Sequence, residues 1–143
     1  MQKTGKPYEK FLYEIWKSQK FEQAPYTEEG EQITILDAGV ENGDLPGPDF
    51  KNARIKIGNI TYVGDIEIDG THTDWKTHGH NLSKKYNKVV LHAVLSNDSG
   101  QNYVFTQDGR KVQTVCISSF LEESLRESLK KAILTEREKR RLL

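Results

Sequence analysis

Apolar side chains recur along residues 7–21 at helical spacing: Tyr8, Phe11, Leu12, Ile15 and Trp16. That pattern draws one continuous stripe down a helix, and Pro7 suits the first helical position, where the missing N–H costs nothing. Gln32 to Leu36 then reads as a short strand. Residues 37–49 (DAGVENGDLPGPD) hold three Gly, two Pro and four acidic side chains, a composition that predicts a long structured loop. Ala53-Arg54-Ile55-Lys56-Ile57 alternates, Gly58-Asn59 supplies a two-residue turn, and Ile60 to Asp69 returns, so a β-hairpin is predicted over 53–69. Residues 71–82 are polar around a single tryptophan and predict a short helix or ordered loop. Lys88 to Ser96 is almost wholly apolar, as expected of a central strand covered on both faces. Tyr103–Phe105 and Val112–Ile117 flank Asp108-Gly109, a second hairpin signal. Leu121, Leu125, Leu129, Ala132 and Ile133 carry a final stripe, predicting a C-terminal helix over 119–143 with Ser119 and Glu122 as its capping box. This order predicts an α/β (α+β) fold with a mixed central sheet flanked by an N-terminal and a C-terminal helix.

Composition narrows the class. The chain has 143 residues, the length of one ordinary domain, and its six Tyr, five Phe and two Trp can supply one core. No apolar run approaches the ~18 residues of a membrane span, and MQKTGKPYEKF lacks the apolar region of a signal peptide. A single cysteine, Cys116, excludes an internal disulfide and a multi-cysteine zinc site. Its apolar surroundings predict a buried thiol, and together these features predict a cytoplasmic protein. Basic and acidic residues balance at 21 each, which argues against a general nucleic-acid binder, since phosphate neutralisation demands a basic excess. The balance still permits a local basic stripe facing an acidic site. Six basic and two acidic residues between Lys130 and Arg141 read either as a solvated helix end that complements the macrodipole or as an arm that contacts a partner.

Candidate chemistry concentrates between Pro48 and His80. On the strand Ile60–Asp69, alternation sends Ile66 and Ile68 to the core and Asp65, Glu67 and Asp69 to the opposite face. Three carboxylates on one face repel one another unless water on an edge strand or a divalent cation offsets them. Oxygen ligands of this kind suit Mg²⁺, Mn²⁺ or Ca²⁺, not zinc. The Gly58-Asn59 turn sets a register that brings Asp49, before the first hairpin strand, close to Glu67 and Asp69. Asp49 reads alternatively as a turn residue capping its own backbone. In Asp74-Trp75-Lys76-Thr77-His78-Gly79-His80, the imidazoles of His78 and His80 can move protons near neutral pH or ligate a metal. Trp75 then packs on the core, and Asp74 and Lys76 support the site. His92 lies in the apolar strand and joins the site if its face lines the same cleft. Lys84 and Lys85 offer phosphate contacts or are ordinary surface lysines.

Four blocks carry a resemblance: GPDFKNARI from Gly47, GDIEID from Gly64, TDWKTHGH from Thr73 and VVLHAV from Val89. In order and spacing they resemble the N-terminal part of an uncharacterised bacterial family of unknown function, whose members carry GPDF-x-NAR-I, G-[DN]-x-E-I-H, S-D-W-x-x-H-G-H and V-x-L-H-V-V. Asp69 stands where that family usually has His. Members are typically longer, which implies that residues 1–143 are one domain from a longer architecture. The layout also resembles, more distantly, the PD-(D/E)XK phosphodiesterase superfamily, with its restriction-endonuclease-like fold, and within it the very-short-patch repair endonucleases. That resemblance makes Pro48-Asp49 the PD pair and Glu67 the second acid, with Asp69 at the lysine position. In the alternative register Asp65 is the second acid and Glu67 takes the lysine position. It implies a Mg²⁺- or Mn²⁺-dependent nuclease acting on DNA, with Asp49, Asp65, Glu67 and Asp69 as metal ligands and His78 or His80 as general base or acid. The alternative it implies is an inactive nuclease-like module that binds DNA or a protein partner.

Overall fold

The computed structural model describes residues 7–142. Helix α1 spans Pro7–Ser18 and helix α3 spans Glu123–Arg141, with the one-turn helix α2 (Asp74–Thr77) between them. The strands are β1 (Ile33–Asp37), β2 (Val40–Glu41), β3 (Phe50–Ile57), β4 (Ile60–Thr71), β5 (Val89–Ser96), β6 (Tyr103–Phe105) and β7 (Lys111–Cys116). They form one mixed sheet in the order β1-β3-β4-β5-β7-β6, with β2 paired to β3. The fold is therefore α/β with a central sheet.

Hairpin β3–β4 forms as its alternation requires, with Ile57 opposite Ile60 across the Gly58-Asn59 turn. From β4 the chain crosses over through residues 72–88 and returns parallel as β5, aligning Glu67 with His92 and Asp69 with Val94. The parallel return explains why β5 is buried along nearly its whole length. Gly64 permits the close β4–β5 approach. A Cβ there would meet the Lys88 carbonyl oxygen at 2.3 Å, a backbone atom with no room to give.

Two cores lie on opposite faces of the sheet. The larger packs α1 and α3 against Phe50, Ile55, Ile66, Ile68 and Leu91, burying Leu12 and Trp16 of α1 and Leu129 of α3. Each such side chain contributes roughly 1.5–3 kcal/mol through burial. Trp16 also donates through Nε1 to the Ala38 carbonyl at 2.9 Å, fixing the loop that leads to Asp49 against α1. The smaller core is Trp75, Tyr86, Val89, Val104 and Val112, so the crossover segment and the β6–β7 hairpin cover the second face.

Three expectations need correction. The first helix stops at Ser18, short of residue 21. The C-terminal helix starts at Glu123, after a 3-10 turn over Ile117–Phe120, so Ser119 forms no capping box. Burial of Phe120 and Leu121 draws that turn inward, ahead of the helix. Cys116 is half-buried, with its thiol 3.3 Å from the Leu95 carbonyl oxygen.

Candidate functional site

β4 is an interior strand, and this decides the fate of its carboxylates. Asp65, Glu67 and Asp69 are exposed by 1%, 0% and 1%, so no solvated edge offsets their charge. Buried carboxylates persist only with partners, because desolvating an unpaired charge is costly. The crossover segment brings those partners.

Gly79, in left-handed conformation at φ 73°, turns the chain between α2 and the 3-10 turn His80–Leu82. His80 Nε2 lies 2.8 Å from Glu67 Oε2 and 3.9 Å from Asp69 Oδ1. His78 Nδ1 lies 3.4 Å from Asp69 Oδ1, and His92 Nε2 donates to Asp69 Oδ2 at 2.8 Å. One donor atom from each of Asp69, His78 and His80 falls within 4.8 Å of the others, close enough to share one metal ion. Trp75 closes the cluster edge-on to His80 and His92, at centroid distances of 5.4 and 5.1 Å. Tyr86 stacks on His80 at 3.9 Å.

Asp49 joins through the backbone. Strand β3 begins only at Phe50, opposite Ile66, and Asp49 Oδ2 accepts the Ile68 N–H at 2.7 Å, one step beyond the end of the ladder. Tyr13 of α1 donates its hydroxyl to Asp49 Oδ1. Asp49 thus reaches the β4 backbone between Glu67 and Asp69 through a long-range contact.

The electrostatics follow from these contacts. Burial alone would raise the Asp69 pKa, but His78, His92 and the neighbouring imidazole of His80 hold it below the ordinary carboxylate range. Asp69 in turn raises the His78 pKa against the opposing effect of burial, with Asp74 and Glu9 adding to the rise. Burial, Glu9 and Asp74 push the Tyr8 hydroxyl up to about 12. Burial and then Asp49 push the Tyr13 hydroxyl up as well.

Other predicted residues fall elsewhere. Asp65 does not join the histidines: Oδ1 accepts the Asn52 N–H at 3.1 Å and Oδ2 pairs with Lys51 Nζ at 3.1 Å. Asn52, at φ 58°, sits where the β3–β4 register slips, and that bulge re-aims the local contacts. Asp74 Oδ2 accepts the Thr71 N–H at 3.1 Å and shapes the turn into α2. Lys76 is exposed on the wall of a neighbouring cavity. Lys84 is exposed on a 3-10 turn, and its ammonium forms no ion pair among the described residues. Sequence reasoning missed Tyr13, the buried Glu9 and the buried His72, whose Nδ1 lies 2.7 Å from Ser99 Oγ and whose Nε2 lies 2.9 Å from the Tyr103 carbonyl oxygen. Tyr13 and Glu9 lie beside the helix's apolar stripe, a position that gives no signal without the packing of helix on sheet.

A family model described as a protein of unknown function (DUF2851) matches residues 9–140, and the chain belongs to that family. Comparison with curated proteins and with solved structures finds no match. Among the described residues no helix is long and apolar enough to cross a membrane.

Proposed function

We propose that this DUF2851 member is a divalent-metal-dependent phosphodiesterase of PD-(D/E)XK-like type acting on DNA. The observation that carries the reading is the convergence of Asp69, His78 and His80 donor atoms within 4.8 Å, where the exposed His78 opens to solvent a cluster whose buried members include Glu67. A cation shared by these three donors would offset the buried negative charge that the imidazoles otherwise balance alone. Asp69, His78 and His80 fit as the protein ligands, and the two nitrogens disfavour Mg²⁺, which prefers oxygen throughout, and suit Zn²⁺ or Fe²⁺ as well as Mn²⁺. A bound ion of this kind polarises a phosphoryl oxygen and lowers the pKa of water.

The chain's own groups then have separable roles. His92 anchors the second oxygen of Asp69 and leaves the first turned toward His78 and His80, the arrangement by which outer hydrogen bonds orient ligands. Glu67, next to His80, would hold a proton drawn from an incoming water. Asp49, held between Ile68 and Tyr13, sets the negative wall of the site. Trp75 and Tyr86 keep bulk water away from His80.

One observation favours the second reading, a non-catalytic nuclease-like module binding DNA or a protein partner. The superfamily's lysine position is occupied by Asp69, whose two oxygens are engaged by imidazoles. Incubation of single- and double-stranded DNA with the protein and Mn²⁺ separates the two. The enzyme reading predicts metal-dependent cleavage that Asp69→Asn and His80→Ala abolish. DNA retained intact, with Mn²⁺ bound, establishes the binding module instead.

A further inference from the structure

Beside the cluster, on the far side of Trp75, lies a second cavity of about 510 Å³. Its volume falls within the ~300–1,000 Å³ typical of small-ligand sites. Trp75, Tyr103 and Phe105 give it aromatic walls, and Lys76, Asn81 and Gln101 supply one cation and two amides. Among the described residues no carboxylate lines it, in contrast to the acidic cluster next door.

The walls are fixed in advance. Trp75 Nε1 donates to the Phe105 carbonyl at 2.9 Å, and the His72 ring spans Ser99 Oγ and the Tyr103 carbonyl. These ring nitrogens, carbonyls and the hydroxyl of the rim are thereby satisfied within the protein. The exposed Phe105 ring, the Gln101 amide and the Lys76 ammonium are left to meet a ligand. Asn81 Oδ1, shielded from solvent at the cavity wall, has no hydrogen-bond partner among the described residues, an unmet polar atom of the kind that calls for a donor. Phe105 is 50% exposed at the mouth, where its ring is available for stacking.

A flat, uncharged ring with hydrogen-bonding edges meets all of these features. We propose that the cavity binds the nucleobase of the nucleotide adjoining the phosphate handled at the Asp69–His78–His80 cluster. This rests on the phosphodiesterase reading for its placement, because Trp75 is the wall common to both sites. Aromatic faces hold the base by stacking, the amides of Asn81 and Gln101 address its edge, and Lys76 meets the phosphate on its way to the cluster.

The test is calorimetric titration of the four 2′-deoxynucleoside 5′-monophosphates, with deoxyribose 5-phosphate as the base-free control. Wild type, Phe105→Ala and Gln101→Ala are compared, and Mn²⁺ is titrated into the same preparations. Phe105 and Gln101 are exposed, so unchanged melting temperatures are expected. The proposal predicts saturable binding of at least one nucleotide, none of the control, and a loss of roughly 5- to 150-fold in Phe105→Ala, the range of one stacking contact. Equal binding of the base-free control, or full affinity in Phe105→Ala, overturns the base subsite. Mn²⁺ binding without nucleotide binding overturns the subsite and leaves the metal reading standing. Nucleotide binding without Mn²⁺ binding supports the subsite and removes the metal reading.

Discussion

Ile66 and Ile68 on one face of β4, and Glu67 and Asp69 on the other, are all shielded from water to within 1%. Their neighbours differ completely. The isoleucines meet α1 and α3 in a continuous apolar core, where burial lowers the free energy directly. The carboxylates meet His78, His80 and His92, where burial is costly unless partners offset it. One strand thus carries a face that stabilises the fold and a face that the fold must tolerate. The difference teaches that depth alone does not mark a functional position. A polar cluster kept dry at a cost in stability does, because packing alone would favour apolar side chains there.

Substitutions break this comparison most sharply on the apolar face. Ile68→Ala should lower stability by about 2–5 kcal/mol, the range for a buried aliphatic truncation, and chemical denaturation reads it. Mn²⁺ affinity of the remaining folded protein should not change. On the polar face the ranking reverses. Asp69→Asn should weaken Mn²⁺ binding by more than about 100-fold, beyond the range of outer-shell losses, with a smaller shift in denaturation midpoint than Ile68→Ala. His92→Gln, which loosens Asp69 without removing it, should weaken binding by about 10- to 100-fold.

A subtler effect separates the faces by pH. Burial holds the His72 pKa below its ordinary 6.5, against the raising effect of the Tyr103 carbonyl. The unfolded chain therefore takes up a proton before the folded one as pH falls. Stability linked to His72 is complete above about pH 6.5 and declines below it. His72→Gln should flatten the acid limb of a stability-versus-pH curve between that value and the lower folded pKa. The smallest effect is expected for Tyr13→Phe, which deletes one hydrogen bond to Asp49 and should cost about 1 kcal/mol of stability.

How far these contacts were legible depends on their reach along the chain. Hairpin β3–β4 was readable because alternation and the Gly58-Asn59 turn are local, whereas the turn's register is interrupted between Phe50 and Ala53, before it reaches Asp49. His92 was harder. Apolar neighbours on both sides hide which face of β5 it occupies, and only the parallel pairing of Glu67 with His92 decides it. Asp65 shares the alternation of Glu67 and Asp69, yet the bulge at Asn52 gives it different partners, and nothing in the residues from Lys51 to Ala53 announces that slip. Tyr13, Glu9 and His72 reach the site through helix-on-sheet and loop-on-strand packing, which residue spacing does not encode.

The central claim, that the polar face of β4 is a metal centre, is tested most directly by calorimetric titration of Mn²⁺ into the wild-type chain and into Asp69→Asn. Saturable binding of one ion per chain, lost in the variant while its fold persists, is the predicted result. Wild type and Asp69→Asn behaving alike, whether both bind or neither does, would contradict it and leave the histidines as partners of buried carboxylates alone.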